Sequence, residues 1–334
     1  MNSRAVIVLA LSVPLSAAAH HSRSHYPDEV QELAGELVAV HWVNPHVGFT
    51  INVTNEDGQI EEWRIEGASN LGSMRRGGID ESFFTIGEQV AFLGSVSVRR
   101  ERDMLTSNML LENGREILLA PNVALHWSNA DVAEFAPHQT STSTVDAAAE
   151  NRVIYRVWSG VPNFVGQTTD FPFTDYALAA RAEWDEIDNF AENCEGGGMP
   201  RLMRNPHPFE FVDDGDRIRV ISELYDLERT IHMDHDAPPA GTAASMLGYS
   251  TGRWDGSTLI VNTTLINWPY FDNLGTPQTE DVEIVERFTL SADQSRLDYQ
   301  FVLADPTIFS GPATYERYWM AFGEEIERYE CTVY

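Results

Sequence analysis

The chain is short of cations, of cysteine and of long apolar runs, and each shortage excludes something. Only 22 Lys+Arg stand against 51 Asp+Glu, a formal net charge of −29 over 334 residues. That surplus repels a phosphate backbone and excludes nucleic acid as a partner. It attracts cations, although a salty habitat is the plainer account of it. Past residue 19 no apolar run approaches the roughly 20 residues of a membrane helix, so no transmembrane segment is expected. There is no glycine-rich loop followed by lysine, no dinucleotide fingerprint on a βαβ unit and no HExxH helix. Gly248-Tyr249-Ser250-Thr251-Gly252 has the spelling G-x-S-x-G. It runs into a hairpin, not the sharp strand-to-helix turn of a nucleophile elbow, so Ser250 is not expected to act as a nucleophile.

What is present points to a secreted globular protein. Apolar residues make up 43% of the chain, enough for packed cores, and the length fits two domains. Residues 1–19 read as a signal peptide, with Arg4 at the start, an apolar stretch over 5–15 and a small-residue cleavage site at Ala17-Ala18-Ala19. No lipid-attachment cysteine stands there. The expected location is periplasmic or secreted. The two cysteines are Cys194 and Cys331. An even pair in an oxidising compartment favours a disulfide, whose long loop would stabilise by up to about 5 kcal/mol. A metal-ligand pair is the alternative, but neither cysteine has neighbours at zinc-site spacing.

The fold class expected is all-β. Over residues 20–128, stretches at 36–42, 47–53, 61–65, 89–95, 104–111 and 116–119 carry strand patterning. A short helix, capped by Ser69 or Asn70 and stopped by glycine, follows the third of them. Five or so strands with a helix after the third give an OB-like small barrel. Residues 129–151 lose periodicity and read as a linker. Residues 152–334 hold one helix at 174–189, capped by Thr174, then about eight strands joined by tight turns. Asp255-Gly256 signals a type I′ hairpin between two of them. The last strand is expected at 326–331. Such an antiparallel β-meander closes as a calycin-like barrel around a small-ligand cavity or stays open as a sandwich.

Several stretches carry a resemblance. Ala19-His20-His21-Ser22, Trp42-Val43-Asn44-Pro45-His46 and the stretch 71–77 around Arg75-Arg76 resemble the exported bacterial proteins known as the domain of unknown function 6152 family. The second half is similar to an uncharacterised β-rich companion segment of exported proteins. Its marks are Gly198-Met199-Pro200-Arg201, Arg229-Thr230-Ile231-His232-Met233-Asp234, Gly252-Arg253-Trp254-Asp255-Gly256, Glu286-Arg287-Phe288 and Tyr329-Glu330-Cys331. The resemblance implies export, two domains and a Cys194–Cys331 bond, and no activity.

Two histidine clusters carry the chemistry. Cleavage after Ala19 leaves His20 first, offering its amine and ring nitrogen as a chelate; a nitrogen from His46 completes a copper brace. His21, His25 and His41 are further donors. The plainer account is a mobile terminus that binds metal adventitiously. In the second cluster, His232 and Asp234 share one face of a strand. They would act as an acid–base pair or hold one metal ion, or simply end the strand in a solvated turn. Arg253, Trp254 and Asp255, with Glu286, would orient a ligand in a cavity, or form cross-strand ion pairs around a core Trp254. Asn205-Pro206-His207 echoes Asn44-Pro45-His46. The primary expectation is a protein binding copper, another metal ion or a small organic ligand. The alternative is a lyase, isomerase or hydrolase using His232, Asp234, Arg253 and Glu286. A structural factor of the envelope is the third.

Overall fold

The computed structural model describes residues 25–120, 123–127, 131–133, 153–160, 170–185, 189–321 and 323–332. The signal-peptide reading of 1–19 and most of the linker reading fall outside them. The chain forms two closed β-barrels.

The first barrel is built from β1 (Gln31–His41), β2 (Gly48–Thr54), β3 (Ile60–Gly67), β4 (Gln89–Val96) and β5 (Asp103–Leu110), with helix α1 (Leu71–Arg76) between β3 and β4. β1 pairs with both β2 and β4, and β5 pairs with β4 antiparallel and β3 parallel, which closes the ring. This is the expected OB-like arrangement. Alternation along the strands sends Leu37, Phe49, Ile51 and Phe92 inward to one apolar cluster. Each such side chain stabilises by about 1.5–3 kcal/mol on burial. Asn70 caps α1 by accepting from Ser73 N at 2.8 Å, and Leu71 and Met74 are buried beneath the helix. β6 (Arg115–Leu118) and β7 (Asp131–Ala133) extend the sheet. β7 lies inside the stretch read as linker and pairs in parallel with β6.

The second barrel comprises β8 (Val157–Gly160), β9 (Phe209–Asp213), β10 (Arg217–Ser222), β11 (Glu228–His232), β12 (Tyr249–Asp255), β13 (Thr258–Thr264), β14 (Glu283–Leu290), β15 (Arg296–Ala304) and β16 (Ala313–Met320). It closes in the order β10 through β16, then β8 and β9, so the sandwich alternative is out. Aromatic side chains such as Trp158, Phe211, Phe288 and Trp319 occupy its core. An odd ring cannot be antiparallel throughout. The exception is β11 beside β12, parallel, with Ile231 opposite Ser250. The stretch 233–248 carries the chain back along the barrel to allow it.

Three further expectations are corrected. Helix α2 runs only Asp175–Glu183, although Thr174 does cap it, accepting from Ala177 N at 3.2 Å. Asp255 pairs with Thr258, so the hairpin loop is Gly256-Ser257. Of these two only Gly256 has positive φ, at 61°, the Gly-X pattern of a type II′ turn. No strand forms at 326–331. That tail leaves the second barrel and makes a single bridge, Cys331 to Asn44 of the first. No described helix is long and apolar enough to cross a membrane.

Candidate functional site

The barrels are joined by charge and by a C-terminal tail that a disulfide anchors to the second. The chain contains no lysine, so all 22 of its basic residues are arginine, whose planar fork suits bidentate pairing. Arg76, at the end of α1, donates from Nη1 and Nη2 to Glu223 of the second barrel at 3.0 and 2.9 Å. Gly72 makes room for this pair: a Cβ there would lie 2.6 Å from Glu223 Oε1 and 2.9 Å from Arg76 Nη2. Asn44 works as a second joint. Its side chain accepts from Leu71 N at 3.0 Å and donates to Tyr329 O, while its carbonyl accepts from Thr332 N at 2.9 Å. Cys331, between those tail residues, is bonded to Cys194 with the Cα atoms 5.7 Å apart.

These joints hold open a cleft of about 770 Å³ between the barrels. The first barrel and its leading segment contribute His25, Tyr26, His46, Glu66 and Arg100; the second contributes Asn189, Arg201, His207, Tyr225 and, from the tail, Tyr329. Both Asn-Pro-His turns therefore deliver their histidine to one cavity. His46 Nδ1 bonds Glu66 Oε1 at 2.8 Å. When Nδ1 carries the proton, Nε2 becomes the nitrogen with a lone pair to offer. His207 Nδ1 lies 3.8 Å from Glu223 Oε1, too far for a hydrogen bond.

The interdomain pair gives acid sensitivity. Burial alone would raise the Glu223 pKa, but His207, an ion-pair partner once its ring is protonated in acid, and the bidentate Arg76 outweigh it and hold Glu223 at about 2, below the ordinary 4.5. The folded state thus keeps a carboxylate that the unfolded chain protonates. The resulting stabilisation, about 3 kcal/mol, is complete above about pH 4.5 and lost as pH falls towards 2. Burial holds the His207 pKa below its ordinary 6.5, so the unfolded chain takes up a proton there that the folded state does not. That loss begins as pH falls through about 6.5. Urea unfolding across this range should show wild type losing stability below about pH 4.5 more steeply than Glu223→Gln. Parallel losses would assign the acid sensitivity to other groups.

The other residues singled out from sequence are not gathered in one place. His20 and His21 lie outside the described residues. His41 Nε2 bonds Thr50 Oγ1 at 2.9 Å, across the β1–β2 pair. On β11 the buried residues are Arg229 and Ile231, while Thr230 and His232 are partly exposed. His232 therefore faces outward, where its ring stacks on Tyr249 at 4.4 Å and on His235 at 5.5 Å. Ligand atoms of His232, Asp234 and His235 lie within 4.8 Å of one another, so this cluster is a geometric candidate for a metal ion. Burial and then the neighbouring His235 hold His232 below its ordinary pKa. Glu286 is on the inside of the barrel and fully buried. It accepts from Arg229 Nη1 at 3.0 Å and Tyr299 OH at 2.8 Å. Ser250 and Thr263 complete this network, accepting from Arg229 at 3.0 and 2.7 Å. The barrel wall thus separates Glu286 from His232 and Asp234, and the four-residue constellation is not assembled. Arg253 and Trp254 sit exposed beside the Gly256 hairpin; Trp254, 39% exposed, is not core.

Sequence reasoning gave no role to Arg201, Glu223, Tyr225 or Tyr329. One signal did exist, the repeated Asn-Pro-His turn, whose two copies meet in the cleft. Residues 8–105 match a family model described as a family of unknown function (DUF6152). The match spans β1 to β4 and the start of β5, and so includes His25, His46, Glu66 and Arg100 of the cleft. No curated protein matches the sequence.

Proposed function

We propose that this is an exported binding protein whose ligand sits in the cleft between the barrels. The observation that carries this reading is the convergence there of three histidines and two arginines from both barrels, in a cavity of ligand size. A cleft braced by a buried ion pair and by a disulfide-anchored tail needs little reordering to bind, which favours affinity. The disulfide also fits an oxidising compartment.

Copper is one candidate ligand. A carboxylate on the far ring nitrogen, as Glu66 is on His46, is the usual support of a metal-bound imidazole. The remaining donors would be His20, with His21 beside it. His20 precedes His25 by five residues, a span of up to about 17 Å when extended, so a mature terminus at His20 can reach the cleft wall that His25 forms. Intact mass and metal content of the exported protein, taken on one sample, test this. A His20 start with about one copper per chain, lost in His46→Ala, supports the brace. A His20 start without metal removes copper and leaves an organic ligand.

A further inference from the structure

Given the cleft as the ligand site, one cation in its wall narrows the ligand. Arg201 opens the short 3-10 turn Arg201–Arg204. Its stem fills space that Gly197 leaves, since a Cβ on Gly197 would lie 2.7 Å from Arg201 Cδ. Its guanidinium carbon stands 5.1 Å from the Phe190 ring centroid, and Trp268 meets that ring edge-on at 4.8 Å. The guanidinium is therefore held in position before any ligand arrives.

Among the described residues its charge meets no ion-pair partner, with Asp272 acting on it only from a distance. Arg76, Arg99, Arg219, Arg229 and Arg296 each face a carboxylate. No carboxylate among the described residues lies within 4.0 Å of Arg201, and none of those residues accepts a hydrogen bond from it. Arg204, three residues on, lies over Phe271 at 4.6 Å and donates to Phe271 O at 3.3 Å. Burial holds the Arg201 pKa below the ordinary 12.5, yet a guanidinium remains charged at neutral pH. A positioned fork of N–H donors opening into a cleft is the arrangement that recognises a planar oxyanion.

We propose that the cleft binds a small monocarboxylate, with Arg201 donating two parallel hydrogen bonds to the carboxylate and Leu224, Tyr225 and Tyr329 enclosing its apolar body. Tyr225 and Tyr329 pack with ring centroids 4.7 Å apart and form a surface suited to hydrocarbon or an aromatic ring. The single negative charge follows from the whole chain. At −29 the long-range field opposes anions, and a dianion such as phosphate meets twice the repulsion.

The test is calorimetric titration of the full chain with benzoate and hexanoate, with benzamide and hexanamide as neutral counterparts, and with inorganic phosphate. The acids are expected to bind about 10–100-fold more tightly than the amides, the span of one charge-assisted interaction. Arg201→Met should abolish that preference, and Arg201→Lys should keep only part of it, because the charge remains and the fork is lost. Equal binding of acids and amides overturns the proposal, as does tighter binding of phosphate or no acid binding at about 1 mM. Tyr225→Ala separates this failure from failure of the cleft reading. If it weakens every ligand while acids gain nothing over amides, only the carboxylate assignment falls. If acids bind and neither Tyr225→Ala nor Arg201→Met changes their affinity, the site is elsewhere and both readings fall.

Discussion

Glu286→Gln should destabilise the second barrel by about 3–5 kcal/mol, the cost of leaving a buried charge without its partner. Arg229 and Glu286 are both almost fully shielded from solvent, at 1% and 0% side-chain exposure. In the variant, Arg229 keeps Ser250 and Thr263 as acceptors but loses the one carboxylate that pairs with it among the described residues. Arg229→Met should cost a similar amount, because Glu286 would retain only Tyr299 and Thr263 near it. Combining Arg229→Met with Glu286→Leu should cost less than the sum, since two apolar groups need neither counter-charge nor donors. Urea or guanidinium midpoints of the three variants decide it. Singles within about 1 kcal/mol of wild type would mean the barrel interior solvates the charges by some other route. The same network absorbs three residues that the sequence brought into view. Ser250 of the G-x-S-x-G spelling, Arg229 of the histidine-bearing strand and Glu286 are bound to one another inside a closed wall.

Replacing both cysteines, Cys194→Ser with Cys331→Ser, should lower stability by as much as about 5 kcal/mol on the chain-entropy account, because the bond closes a loop with a sequence separation of 137. A local effect should accompany the global one. Cys331 pins the tail that brings Tyr329 to the cleft and Thr332 to Asn44. Without the bond the tail loses its covalent tie to Cys194 and is held by non-covalent contacts, among them the Arg75–Glu327 ion pair at 2.9 Å. Cleft ligands should then bind more weakly, and protease cutting in the tail should quicken before either barrel unfolds. Denaturation and limited proteolysis with and without reductant read both effects. An unchanged midpoint with an unchanged cutting rate would show that the tail is held without the bond.

Much of this fold is written locally and could be read there. Strand alternation places Phe49 and Ile51 inward on β2 and Ile284 and Phe288 inward on β14, because a two-residue period reports the buried face directly. Asn70 and Thr174 announce their helices because a capping side chain needs only its own next three residues. The pairing of Cys194 with Cys331 was legible because no other cysteine competes. The parallel contact of β11 with β12 was not legible. It arises from closing nine strands into a ring, a property of the whole barrel.

The candidate site divides in the same way. Sequence alone determined an all-β chain of strongly negative charge, with histidine-bearing turns at Asn44-Pro45-His46 and Asn205-Pro206-His207. Composition and short-range periodicity suffice for that. Only the tertiary structure decided which charged residues turn inward, as Arg229 and Glu286 do, because alternation names two faces and does not say that a barrel's inner face tolerates a satisfied ion pair. Only the tertiary structure set His46, Arg201, His207 and Tyr329 around one cavity. Their proximity depends on how two independently closed barrels dock, through Arg76 with Glu223 and Asn44 with the C-terminal tail, contacts so distant in sequence that no local pattern encodes them.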